Sequence, residues 1–445
     1  MNISNSVCYV LGVSAAAAVL AGCSNGGSPS SFAPSGTAQQ SVTEAGPDAH
    51  AQGGLTQYYL VNLGVIGGKY SSARGINNRG WITGASTIRG SKSSHAALWR
   101  ASRLTDLGTL GGPNSYFNFP VKNTRGEVAG VSQVAQTDPY LEDFCQESFF
   151  NPTYLCQGFS WQDGVMAALP TLGGNNSFAT GVNNRAQIVG GAETSAKDHS
   201  CKKPQRFDYY AVIWQPNGTT LTLPPYPGDT VSFANAVNDS GDVVGTSGRC
   251  GDLDDALTAQ HALLWQSGST IDLGNLGGTA NNVPFAINNR GQIVGYAHIA
   301  GNATSHAFLW QNGVMSDLGT LPGDVFSIAN GINDKGQIVG ESCPESGSCR
   351  GFIWQSGSMT DLNLLVPPKS KLYVFYASDI NDSGRIVGIA TNTTNPVFTQ
   401  RAVVLIPGNK SDVIPGSSAR PVTLPEGLRI HLRQLQGIAR PIASL

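Results

Sequence analysis

Hydrophobic and polar positions alternate along most of this chain, and the alternation returns in blocks. One block is clearest from Val283 to Gly323. Phe285-Ala286-Ile287-Asn288 is followed by Asn289-Arg290-Gly291 and then by Gln292-Ile293-Val294-Gly295. After a loop the chain resumes with His306-Ala307-Phe308-Leu309-Trp310, then Gln311-Asn312-Gly313, then Asp317-Leu318-Gly319. A two-residue period over β-branched and aromatic residues predicts strands. The Asn-x-x-Gly and Asn-Gly steps predict hairpin turns, because Asn and Gly reach positive φ at low cost. Each block thus holds four strands. In the third, His306, Phe308 and Trp310 share one side and Ala307 and Leu309 the other, which suits a sheet packed on both faces.

The block occurs seven times. The Asn of the Ile-Asn-Asn element stands at Asn77, Asn123, Asn183, Asn238, Asn288, Asn333 and Asn381. A Gly follows seven residues later at 84, 130, 190, 245, 295, 340 and 388. The third strand ends at Trp99, Trp161, Trp214, Trp265, Trp310 and Trp354, with Leu405 in the last copy, so six of the seven Trp share one position. Four strands in about 50 residues, seven times over, predict an all-β, seven-bladed β-propeller of four-stranded repeats over 57–408. The array opens with a fourth strand, Tyr58–Leu63, and stops after a third, Arg401–Ile406. Pairing these two would close the ring and remove a free sheet edge. Residues 409–445 lie beyond the repeats, and Leu428 to Ile438 could form a short helix there.

Composition narrows the class. The 445 residues suggest two or three domains by length alone, and the repeats replace that count with one ring. Net charge is −2 with only 13% charged residues, which argues against a nucleic-acid binder. A hydrophobic content of 40% argues against charge-driven disorder. The 55 Gly follow no three-residue period, so the chain is not collagenous. Turns and strand crossings account for the excess.

The N-terminus supplies an address. Residues 7–20 are apolar or small and lead into Leu20-Ala21-Gly22-Cys23, which resembles the lipobox of bacterial lipoproteins. The resemblance implies that residues 1–22 are a signal peptide and that the Cys23 thiol is acylated. No Lys or Arg precedes the run, which departs from that pattern. The run is too short and too weakly apolar for a lasting membrane span. Ser24 resembles the sorting signal for the outer membrane. Residues 23–56, rich in Ser, Gly, Pro, Ala and Gln, read as a flexible tether. The expected location is the bacterial cell envelope at the outer membrane, with the membrane engaged through the lipid.

The repeats themselves resemble the HAF family of extracellular repeats. His306-Ala307-Phe308, His95-Ala96-Ala97, His261-Ala262-Leu263 and the Leu-Gly-x-Leu-Gly-Gly elements carry the likeness, over roughly residues 57–408. The resemblance implies location and architecture, and it carries no catalytic residue. Gln157, Tyr210, Arg350 and Arg401 replace the His in four units. A metal-binding His ring is therefore not expected; the position reads as a long polar residue whose stem packs at a strand end.

Cysteines and loop lengths single out one surface. Beyond Cys8 and Cys23, the chain has Cys145, Cys156, Cys201, Cys250, Cys343 and Cys349, all between the second and third strands of their units. An even number in an exported chain reads as disulfides, with fifteen pairings open in principle. Local pairs 145–156 and 343–349 leave Cys201 with Cys250, in equivalent loops of adjacent units. No Cys-x-x-Cys spacing supports zinc, and no metal or cofactor is expected. From the second-strand Gly to the His position the offsets are 11, 27, 20, 16, 11, 10 and 13, so units two to four carry the long insertions. Irregular polar loops on a rigid scaffold are where binding usually resides. Candidate binding residues are Asp138, Tyr140, Asp143, Arg206, Asp252 and Asp254. Asp252-Leu253-Asp254-Asp255 lacks the Gly and distal Glu of an EF-hand.

Catalytic signatures are absent: there is no His-Glu-x-x-His, Gly-x-Ser-x-Gly or dinucleotide fingerprint. The expected inner strands carry mainly Ser, Ala, Ile and Asn. Two readings follow. The first is a monomeric, non-enzymatic binding or scaffold module whose long-loop face takes a protein or glycan. The alternative is a propeller hydrolase or lyase acting on an extracellular polymer.

Overall fold

The protein is described here from a computed structural model. It describes residues 56–408, except 91, 101–102, 119, 121–122, 143, 145–152, 202–203, 251–259, 347, 368–369 and 394–398. Cys23, the 1–22 signal, nearly all of the tether and the 409–445 extension lie outside the described residues.

Seven four-stranded antiparallel sheets form the blades of a β-propeller. Blades one to six span Ser71–Asp106, Gly111–Ala168, Gly173–Leu223, Val231–Asp272, Gly277–Asp317 and Phe326–Asp361. Each runs in sequence order from the inner strand outward. Blade seven joins three strands within Leu372–Pro407 to Tyr58–Asn62. The register runs from Tyr58 opposite Pro407 to Asn62 opposite Val403, so the expected closure is formed.

Strand direction alternates within a blade, which sorts the connections onto two faces. Turns between strands one and two, and between three and four, share a turn face. Loops between strands two and three share the opposite, long-loop face with the blade-to-blade crossings.

The repeated residues make the contacts between blades. In each unit the Asn carboxamide reaches sideways to the next blade. Asn77 Nδ2 donates to the Asn123 carbonyl (2.7 Å), Asn123 to Asn183 (2.7 Å), Asn183 to Asn238 (2.9 Å) and Asn238 to Asn288 (3.3 Å). Asn288 donates to Asn333, Asn333 to Asn381 and Asn381 back to Asn77, each at 3.0 Å. The ring of hydrogen bonds is therefore closed. The same side chains cap their own turns, as Asn288 Oδ1 accepts from the Arg290 and Gln292 N–H groups.

The second-strand Gly has a different cause. A bulge in the first strand pushes a backbone carbonyl against its Cα. A side chain at Gly84, Gly190, Gly245, Gly295, Gly340 or Gly388 would collide with that carbonyl, and φ is not positive at these positions. The first-strand Ser stitches neighbouring blades. Ser327 Oγ accepts from the Ala307 N–H and donates to the Gly319 carbonyl, and Ser115, Ser177 and Ser232 do the same in their blades. The Trp rings pack between blades. Trp99, Trp214 and Trp265 Nε1 donate to the carbonyls of Leu63, Pro170 and Pro224 in the crossing from the preceding blade.

Blade seven lacks this Trp. There Leu362, Leu365 and Val366 of the crossing pack in one cluster with Leu405 and Tyr58, and the Tyr58 N–H donates to the Leu365 carbonyl.

Candidate functional site

The long-loop face over blades two to four gathers a cluster of buried and rim ionisable groups. The Cys201–Cys250 disulfide joins the loops of blades three and four, and Cys343–Cys349 closes the loop of blade six. Cys156 is also disulfide-bonded, and its expected partner Cys145 lies outside the described residues.

Beneath the loops of blades two and three sits a carboxylate cluster. Asp138, Glu142 and Glu193 are all buried. Asp138 accepts from the Tyr140 and Glu142 N–H groups. Glu142 Oε1 accepts from the Arg206 N–H at 2.9 Å, tying the loop of blade two to blade three. Glu193 accepts from the Asn175 and Asn176 N–H groups, from Asn176 Nδ2 and from Gln205 Nε2. Burial, reinforced by Asp138, pushes Glu142 up to about 7. Burial, reinforced by Glu142, pushes Glu193 up to about 8. Phe144, from the same loop, packs edge-on to Tyr209 and against Phe233 in the largely apolar cluster above the channel.

Outside this cluster lies an aromatic and cationic rim. The Arg206 guanidinium stands 4.7 Å from the Tyr140 ring centre and Lys197 Nζ 5.6 Å from it. Tyr140 and Arg206, both expected from sequence, are thus brought together above buried Asp138. Asp143, Asp252 and Asp254 lie outside the described residues.

The rim continues to blades three and four with Asp198 of the long insertion and with Asp208, Asp229 and His261, which sequence reasoning did not place at a site. Asp208 is pushed up to about 6 by burial and by the neighbouring Asp198 carboxylate. Asp198 is held low; burial opposes this, but the Ser200 O–H and N–H both donate to it at 2.7 Å. His261 Nδ1 lies 2.8 Å from Asp229 Oδ2, and Tyr226 stacks on its ring with centres 4.3 Å apart.

A signal for Asp229 was present in the chain. Pro227-Gly228-Asp229 recurs as Pro322-Gly323-Asp324, and Asp324 takes the blade-six Arg350 at 2.8 Å. Elsewhere the third-strand His turns outward to the fourth-strand Asp, as His95 does to Asp106 and His306 to Asp317. The Pro-Gly-Asp crossing replaces that partner with a buried one.

The central channel offers less. Thr180, Asn235, Asn330 and Ser378 on inner strands spend their polar atoms on carbonyls of the next blade. Asp379, the acid on the blade-seven inner strand, accepts from the Ile76 N–H. At the turn-face mouth a small pocket of about 80 Å³ is lined by the second residues of the turns, among them Asn184, Asp239, Asn289 and Asp334. These bond one another around the ring, as Asn289 does to Asp334.

Fold and site together define the class as a seven-bladed, all-β propeller with a disulfide-stapled loop face. Comparison with known proteins takes the matter no further than the fold. A puromycin hydrolase mutant complexed with PGG shares 12% identity at a TM-score of 0.49, over 76% of this chain and 52% of its own. A Mycobacterium tuberculosis puromycin-hydrolyzing peptidase shares 10% at 0.45, over 79% of this chain and 54% of its own. This chain thus spans about half the length of those two proteins. Staphylococcus aureus virginiamycin B lyase shares 10% at 0.45, over 79% of this chain and 99% of its own. No protein-family profile matches the sequence, and no curated protein matches it.

Proposed function

We propose that this chain is an exported, lipid-anchored envelope propeller of the HAF type that binds a protein or glycan through its long-loop face. Cys23 is the acylation site in this reading, and the outer membrane is the location.

One observation carries the binding assignment. Ionisable and aromatic groups collect on one sector, over blades two to four, where a disulfide holds loops of adjacent blades together. Burying Asp138, Glu142 and Glu193 there costs free energy that a mere connector would not need to spend. Side chains on rigid, stapled loops lose little entropy on binding. The inner strands, by contrast, present no convergence of acids and histidines in the described residues.

The test is retention of partners from envelope extract and from a glycan array by the chain and by its Tyr140→Ala/Arg206→Ala variant. The reading expects a partner whose affinity falls at least roughly tenfold in the variant, as for an interface anchor. Equal retention by both forms would sink it. The enzyme reading draws on Asp229 and His261, since a carboxylate on Nδ1 fixes the tautomer of a general base. Turnover of a polymer that disappears in His261→Ala would put that reading first.

A further inference from the structure

The chain enters the ring at the turn face. Tyr58 begins the closing strand opposite Pro407, Gly408 donates its N–H to the Gln57 carbonyl at 2.7 Å, and Gly384 of the blade-seven turn lies against Pro407. The described part of the chain therefore begins at this face, opposite the long loops.

Beside that point the turn face is cationic. Blade one places Arg100 directly opposite Arg103 across its outer turn, where blades two, five and six have Gln opposite Val or Ser. Like charges directly opposite each other in a sheet repel unless an anion lies near. Arg100 lies 5.1 Å from the Trp81 ring centre and Arg79 lies 5.9 Å from it. Trp81 is the one Trp outside the repeated position. Gly126 of the next turn packs on the same ring, bringing exposed Arg125 alongside. Arg385 reaches from blade seven to Gly80 of the blade-one turn. None of these five arginines is ion-paired among the described residues. The acids nearby are Asp382, which is bonded to Asn78, with half-buried Glu127 and exposed Asp163. Exposed Tyr59 completes the sector.

We propose that this sector of the turn face rests on an anionic phospholipid surface, leaving the long-loop face directed away from the membrane. Arg clustered with Trp and Tyr is the side-chain set of membrane interfaces, where the rings sit at headgroup level and the cations meet phosphate. The choice of a bilayer as partner rests on the lipid-anchor reading above. The described chain begins beside this sector, so an anchored chain reaches it without passing round the ring.

The experiment uses the chain from Ser24 to Leu445. The ring closes wholly within 58–407, so this chain carries the full propeller and has no acylation site. Its sedimentation is measured with phosphatidylcholine vesicles, with and without phosphatidylglycerol. The proposal expects binding only to the anionic vesicles, lost at high salt because exposed charges are screened. Each arginine removed should weaken binding roughly fivefold, the equivalent of about 1 kcal/mol per charge near the surface. Arg100→Gln/Arg103→Gln tests this, with melting temperature as the check on folding, and Lys371→Gln on the opposite face serves as control. Equal binding to neutral vesicles, an unaffected arginine variant, or an equal loss in Lys371→Gln would overturn the proposal. So would displacement by inorganic phosphate beyond that by chloride at the same ionic strength, since that marks a discrete anion site. Acylation is tested separately, by the mass of the N-terminal peptide from cells. Its failure would leave the vesicle result standing and remove only the anchor.

Discussion

At the scale of the residue, one Asn does two jobs in every blade. Asn288 Oδ1 caps two N–H groups of its turn, and Nδ2 bridges to the carbonyl of Asn333. Asn288→Ala leaves two N–H donors without partners, at about 1–3 kcal/mol for each group left unsatisfied, and takes one of two donors from the Asn333 carbonyl, which keeps the Gly336 N–H. Asn289→Ala keeps its backbone bond to Asp334 and gives up only two side-chain bonds at the exposed mouth of the channel, to Asp334 and from the Asp239 N–H, and should cost much less. Thermal denaturation of the two variants checks the order.

The buried acids make a second residue-scale prediction. Glu142 and Glu193 have ordinary values near 4.5 and are raised to about 7 and about 8 in the fold. Between about 4.5 and 8 the folded chain thus holds protons that the unfolded chain has released. Stability must fall as pH rises through that window and level off above it. Glu341, buried in blade six and raised to about 8, acts in the same direction. Glu193→Gln should flatten the slope of melting temperature against pH between 5 and about 8. An unchanged slope would mean that Glu193 does not titrate as its burial requires.

At the scale of the element, the strand and turn pattern could be read from the chain, because each blade repeats the same local chemistry. The reasons for two repeated residues could not. A Gly in Gln-Ile-Val-Gly looks like a weak strand residue, yet it is required because a bulged carbonyl of the neighbouring strand occupies the place of its side chain. Gly295→Ala should therefore destabilise blade five by more than the roughly 0.5–1 kcal/mol of Gly-to-Ala propensity, and with the opposite sign. Hydrogen exchange localised to Val283–Ile299 is the measurement. The candidate site was legible only in part, for a related reason. Long loops and cysteines mark where the chain departs from the repeat, and they pointed to Asp138, Tyr140 and Arg206. Glu193 and Asp229 sit within regular strand and crossing positions, and their hydrogen-bond partners are set by strand pairing within blades three and four. Glu142 meets Glu193 and the Arg206 N–H only because blades two and three pack side by side, which no single repeat contains.

At the scale of the whole molecule, the ring links the two ends of a chain of mostly local contacts. An open repeat array gains stability unit by unit. Here the Asn ring, the Ser378-to-Ala73 bond and the Tyr58–Asn62 pairing all join blade seven to residues about 300 positions earlier or more. Such long-range contacts reward folding only after the loop-closure entropy has been met. Closure is non-covalent, whereas blades three and four are joined by Cys201–Cys250. The closing strand should accordingly be the weak point. A chain that begins after Leu63 would leave the edge Arg401–Ile406 open and lose buried Tyr58 from the cluster that fills the missing Trp position. It should melt at lower temperature and self-associate through blade seven, and a synthetic peptide spanning Thr56–Ile66 should restore the monomer. Reduction of the disulfides should loosen the loop face of blades three and four first, with the closing strand still protected. If hydrogen exchange instead showed the closing strand more protected than every other strand four, the ring would be held chiefly at that seam, and the Asn ring would contribute little to closure.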